Sequence, residues 1–182
     1  MAVELAPSIE EILSLPEDGY RHELVSGVHH VSPPPGGPHQ IAVVELATWL
    51  RATCPRGHRV LVAPFAWVVT DPDGGRHEVQ PDLLVVTSDQ ARRVRLEGDL
   101  PRLVVEVLSP GAANRARDLE DKFALYQAVG VPIYWVVDPA ERAVLAWRLI
   151  EGQLRQEAEV RAGEAFSTEW PWPLSFRPDD LA

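Results

Sequence analysis

The chain has one cysteine, one methionine and one lysine in 182 residues. Cys54 alone cannot close a disulfide within the chain, which excludes a cystine-stapled scaffold and favours a reducing compartment. No stretch approaches the ~18 consecutive apolar residues of a membrane-spanning helix, and the N-terminus lacks the basic-then-apolar order of a signal peptide. A soluble, cytoplasmic protein is the expectation. The histidines (His22, His29, His30, His39, His58 and His77) show neither paired-ligand helix spacing nor cysteine partners, so no zinc site is expected. A net charge of −10 excludes a protein that coats nucleic acid through bulk electrostatics. It leaves room for an enzyme with a local basic rim around an acidic metal site.

The scarcity of lysine raises a question of its own. Arginine supplies all other fixed positive charge, and a biased base composition accounts for that excess. The exception, Lys122, offers a compact point charge that can release its proton when buried or crowded, which a guanidinium cannot do. The rest of the composition is ordinary: 46% hydrophobic and 24% charged suits one well-formed core. A single domain over residues 1–182 is expected.

Local patterns give the order of elements. Ser8-Ile9-Glu10-Glu11 is a capping box and opens a short helix ending near Pro16. Residues 20–25 and 28–32 alternate around Ser26-Gly27, a β-hairpin. Ser32 to Pro38 holds four prolines and two glycines and reads as a shaped loop. Ile41, Val44, Leu46, Ala47 and Leu50 predict an amphipathic helix from His39 to about Thr53. Val60 to Val69 reads as one strand interrupted at Pro64, followed by a turn at Asp71–Gly75. Asp82–Thr87 and Leu103–Leu108 read as buried central strands. Asn114–Val129 is helical in pattern, with Leu119, Phe123 and Tyr126 on one face and a cap at Gly130. Strands follow at Ile133–Val137 and Val144–Leu149. The order predicts a mixed sheet with helices packed on it, and Trp170–Pro173 an irregular cover.

Two of these strands carry charge where apolar residues belong. Asp82 stands at the entrance of one, and Glu106 lies inside another, Leu103-Val104-Val105-Glu106-Val107-Leu108. Burying an ionised carboxylate without a partner costs several kcal/mol or more. Two on neighbouring strands repel unless a cation lies between them or one is protonated. A hard ion such as Mg²⁺ uses one or two carboxylates plus waters and substrate oxygens, which would satisfy both. Lys122, on the helix after the Glu106 strand, shares a face with Asp118 and has a stem long enough to reach inward. Plainer readings stand beside this one. Asp82 after Pro81 is also turn chemistry, and Glu106 with Lys122 or an arginine is also a simple buried salt bridge. Glu23 can alternate outward on its hairpin, His39 can merely start a helix, and Arg92, Arg93 and Arg95 can be a solvated loop or touch a DNA backbone.

Several segments together resemble the Uma family of restriction endonucleases, a branch of the PD-(D/E)XK nuclease superfamily. They are Tyr20-Arg21-His22-Glu23-Leu24-Val25-Ser26-Gly27, Ser32-Pro33 with His39-Gln40, Gln80-Pro81-Asp82 and Leu103–Pro110. Asp118 with Lys122 and Tyr126, then Tyr134–Pro139, complete the set. The resemblance implies an α/β (α+β) restriction endonuclease-like fold: a mixed β-sheet flanked by helices, with an N-terminal β-hairpin extension. It implies a Mg²⁺ site (Mn²⁺ able to substitute) on Asp82, Glu106 and the backbone carbonyl of Val107. The superfamily's usual lysine, two residues after the glutamate, is here Leu108; Lys122 matches the position from which this family supplies it. Glu23 matches a further acidic position, assisting the site or a second metal. The implied reaction is phosphodiester hydrolysis, with Lys122 orienting the attacking water or neutralising developing charge. Arg115 and Arg117 would contact flanking phosphates. DNA is the expected substrate, with RNA not distinguished, and a homodimer follows by analogy with double-strand cutting. The alternative is a non-catalytic binding or assembly protein on a nuclease-like fold, which the acidic charge favours.

Overall fold

The computed structural model describes residues 7–109 and 117–181, with only the backbone of Arg117 and Asp118. The expected helix start near Asn114 and the side chains of Arg115, Arg117 and Asp118 therefore lie outside the described residues. The capping box forms as read: Ser8 Oγ accepts from the Glu11 N–H at 3.2 Å while Glu11 accepts from the Ser8 N–H at 2.7 Å. It opens helix α1 (Ile9–Leu13).

Strands β1 (Arg21–Val25) and β2 (Val28–Ser32) form the expected hairpin. Helix α2 (Gly37–Ala52) follows the proline loop, with Pro38 in its first turn, where its missing N–H is tolerated. Its buried stripe is His39, Ala42, Val43, Leu46 and Leu50. Ile41 and Val44, which the periodicity placed inward, are 49% and 59% exposed. Both faces of this helix carry apolar residues, so spacing alone does not set its rotation; a buried contact of His39, described below, accompanies the observed phase.

The long run Val60–Val69 is two strands rather than one. β3 (His58–Val62) and β4 (Trp67–Thr70) belong to different sheets, and the chain crosses between them around Pro64, which has no N–H for a ladder. The remaining strands are β5 (Arg76–Val79), β6 (Leu83–Thr87), β7 (Leu96–Glu97), β8 (Leu103–Val107), β9 (Ile133–Asp138), β10 (Ala143–Ile150), β11 (Gln153–Val160), β12 (Phe166–Thr168) and β13 (Leu174–Phe176). A π-helical turn (Arg117–Asp121) leads into helix α3 (Lys122–Val129). Gly130 closes α3 at φ +87°, a left-handed conformation that glycine adopts without penalty.

Two larger sheets result. A mixed six-stranded sheet has the order β11-β10-β9-β8-β6-β3; β8 and β9 are parallel, joined through α3, and the other pairs are antiparallel. The hairpin is more than an appendage: β1 pairs with β5, giving a second sheet ordered β2-β1-β5-β4-β7. β12 and β13 pair beside the tryptophan cover, where Trp172 is buried. Alternation along β8 divides its residues between two cores. Leu103, Val105 and Val107 pack with α2, whereas Val104 and Leu108 pack with α3 and the second sheet. Glu106 shares the parity of the latter set, so it points toward the space between the sheets. No helix among the described residues is long and apolar enough to cross a membrane.

Candidate active site

Asp82 immediately precedes β6, one residue beyond the ladder pair Leu83–Val105. Continued by one step, that register sets Asp82 opposite Glu106. The Val107 N–H donates to Asp82 Oδ2 at 2.8 Å. Arg21, at the start of β1, places Nη2 2.9 Å from Asp82 Oδ1, and His39, in the first turn of α2, places Nε2 3.1 Å from Oδ2. Burial by itself would raise the Asp82 pKa. The His39 hydrogen bond, the Arg21 charge and the Val107 N–H outweigh it and hold the carboxyl at about 2. Burial likewise opposes the charge of Arg21, but Asp82, Glu23 and Glu106 keep its pKa above the ordinary arginine value.

The second half of the site is built from α3. Lys122 is fully buried; its Nζ lies 3.0 Å from Glu106 Oε1 and 2.9 Å from Glu23 Oε1 on β1. Tyr126, one turn along the same helix, donates its hydroxyl to Glu106 Oε1 at 2.7 Å. Burial first, then the Glu106 charge, pushes the Tyr126 pKa well above 10, so it remains a donor. Glu23 Oε1 also accepts from the Gln80 N–H at 2.8 Å. The structure thus brings Asp82, Glu106, Lys122, Glu23 and the Val107 backbone together between the two sheets. The plain salt bridge between Glu106 and Lys122 is part of the same arrangement.

Glu78 adjoins this cluster without any local sequence signal. It lies on β5 beside β1, with Leu24 its cross-strand partner, and is 1% exposed. Its Oε1 accepts from Gln80 Nε2 at 3.2 Å, and its Oε2 has no hydrogen-bond partner among the described residues. Burial, reinforced by the charge of Glu23 against the pull of Gln80, Lys122 and Arg21, raises its pKa to about 7. Arg21 also joins the site unannounced, and His39 joins it from a position where its sequence pattern allowed a simple helix start. Glu78 had no sequence signal, because Arg76-His77-Glu78 looks like the polar exit of a turn.

The donor set can be tested against a divalent cation. Glu23, Glu78, Asp82 and Glu106 are all buried, against two permanent cations, Arg21 and Lys122, among the described residues. Above neutral pH, where Glu78 ionises, the buried carboxylates outnumber these two cations among the described residues, an arrangement that a further cation would favour. All four groups offer hard carboxylate oxygens. No three Asp, Glu, His or Cys side chains among the described residues stand in ligating geometry. An ion here would rest on two carboxylates completed by backbone, water or substrate oxygens, which is the Mg²⁺ habit. On that chemistry the residues fit.

A family model described as "Uma2: Putative restriction endonuclease" matches residues 9–177. The chain belongs to the Uma2 family. A crystal structure described as "a putative nuclease belonging to DUF820 from Anabaena variabilis ATCC 29413" is similar to this Uma2 chain with a TM-score of 0.69 and 21% identity. The match covers 94% of this chain and 95% of the other. At that identity the likeness concerns the fold, and it agrees with the restriction endonuclease-like architecture described above. No curated protein matches this Uma2 chain.

Proposed function

We propose that this Uma2 chain is a Mg²⁺-dependent endonuclease that hydrolyses phosphodiester bonds in DNA, with Mn²⁺ able to substitute. The observation that carries the reading is the fully buried Lys122 held between Glu23 and Glu106, with the neighbouring Val107 N–H on Asp82. Asp82, Glu106 and the Val107 carbonyl would hold the ion. Bound there, it would lower the pKa of a water and stabilise charge on the phosphate oxygens. Glu23 positions Lys122, and Lys122 contributes the positive charge that offsets charge developing on the phosphate. Arg21 and His39 keep Asp82 ionised, and Tyr126 fixes the rotamer of Glu106.

The test is cleavage of plasmid DNA by purified protein with Mg²⁺ or Mn²⁺. Cleavage is expected, abolished in Asp82→Ala and in Lys122→Arg, which retains the charge but not the compact ammonium. Absence of cleavage with every divalent ion, or cleavage that survives Asp82→Ala, contradicts the reading. The competing account is a binding or assembly module whose carboxylates serve structure alone. It is favoured by the fact that Arg21 and Lys122 already engage Asp82 and Glu106.

A further inference from the structure

Residues 46–70 hold no aspartate or glutamate, in a chain with 27 acidic residues and a net charge of −10. The same stretch carries Arg51, Arg56 and Arg59, all three exposed. Other exposed arginines of this chain are matched locally: Arg92 by Asp89, Arg93 by Asp99, Arg95 by Glu97 and Arg155 by Glu151. Arg51, Arg56 and Arg59 meet no carboxylate among the described residues. Arg59 donates one guanidinium N–H to the His58 carbonyl at 2.7 Å, which leaves most of its donor fork open. Unpaired like charges gathered together repel one another, and a polyanion relieves that repulsion.

The fold sets these residues on the edge that also carries the opening of the site. β3 is the outer strand of the six-stranded sheet, beside β6. At one end of this pair the Ala63 N–H donates to the Asp82 carbonyl at 3.1 Å, and Ala63, Pro64 and Asp82 line a cavity of about 570 Å³. Toward the other end Arg59 stands opposite Val86, which packs toward the second sheet. Directly paired residues share a face, so Arg59 and Glu106 lie on the same face of the sheet. α2 runs along this edge as well. Its Gln40 lines the cavity, and Arg51 lies about three turns on, on the same flank of the helix. Arg56 sits in the connection from α2 to β3. Burial raises the Cys54 pKa and the Arg59 charge opposes it, which brings Arg59 beside that connection. The patch is thus about 13 Å along β3 from Ala63 and about 16 Å along α2 from Gln40. A duplex rises about 3.4 Å per base pair, so this span is about four to five base pairs.

We infer that Arg51, Arg56 and Arg59 grip the phosphate backbone of duplex DNA about four to five base pairs from the site of cleavage. The inference rests on the nuclease reading and adds a surface that holds its substrate. The grip is independent of base sequence, because it is made to phosphate alone. The test is fluorescence anisotropy with a short labelled duplex over a series of NaCl concentrations. Ca²⁺ is present to occupy carboxylate oxygens, so that the acidic cluster does not repel the probe. The natural chain should bind. In the triple variant Arg51→Ala, Arg56→Ala, Arg59→Ala the logarithmic salt slope should fall by about 2–3, with binding at least about tenfold weaker at low salt. Replacing the same three residues by lysine should retain most of the slope. The matching alanine triple at Arg92, Arg93 and Arg95 changes the net charge equally but removes paired cations, so its slope should move by less than about 1. Arg115 and Arg117 are the same in every chain compared. Circular dichroism reports folding, and single alanine variants, each expected to lower the slope by about 1, serve if the patch triple does not fold. No binding by the natural chain, a slope unchanged by loss of the patch, or equal losses in the two alanine triples overturns the inference. Metal-dependent cleavage with binding indifferent to the patch would sink this inference alone. Patch-dependent binding without cleavage under any metal would sink the nuclease reading alone.

Discussion

On the outer strands β10 and β11, Arg148 meets Glu157, and nearby Arg155 meets Glu151 and Arg161 meets Glu159, one cation to one carboxylate at the solvent. Between the sheets the same residue types are arranged differently. Lys122 reaches both Glu23 and Glu106, Arg21 and His39 reach Asp82, and Glu78 has no cation within ion-pair distance among the described residues. The first set can separate into water at little cost, and each pair adds little stability. The second is largely shielded from water, so each partner removed leaves a buried charge behind. Surface pairs blunt an edge strand against unwanted pairing. A buried, carboxylate-rich cluster costs stability, and the proposed chemistry on a cation and a phosphate would account for it.

The comparison breaks most visibly at Lys122. Lys122→Met should lower stability by about 3–5 kcal/mol, because Glu23 and Glu106 lose their shared ammonium. Chemical denaturation at neutral pH measures this, and a loss near that of a surface variant would erase the contrast. Glu78 gives the next effect, with the opposite sign. Its folded pKa, about 7, lies above its ordinary value of 4.5, so the folded state holds the proton more tightly. Stability contributed by that proton is complete below about 4.5 and is lost as pH rises through 7. A shift of this size corresponds to about 3 kcal/mol. Glu78→Gln should therefore be more stable than the natural chain at pH 8 and lose the advantage by pH 4, as read from melting curves at both pH values. The smallest effect belongs to the surface: Arg155→Ala should change stability by no more than about 0.5 kcal/mol.

Much of the site was legible because charge interrupts an apolar pattern. Glu106 within Leu103–Leu108, Asp82 before Leu83–Val86, and a solitary lysine on the next helix are anomalies that local sequence displays. Glu78 is not an anomaly locally. It becomes one when β1 pairs with β5, and that contact joins residues 54 apart in the chain. The same long-range pairing makes the hairpin part of a second large sheet, where local pattern showed it only as an extension of a mixed sheet. Short apolar runs likewise conceal which sheet they serve, so Val60–Val69 read as one strand although it supplies both. In α2, apolar residues on both faces left the rotation open, and the buried partner of His39 lies 43 residues away at Asp82.

On the proposed function, the cluster between the sheets binds a divalent cation through Asp82 and Glu106. Calorimetric titration of Mn²⁺ into the purified chain at pH 8, where Glu78 is ionised, tests it most directly. One ion should bind the natural chain, and binding should disappear in Asp82→Asn and in Glu106→Gln while both variants remain folded by circular dichroism. No binding to the natural chain, or binding unchanged by either substitution, would contradict the account.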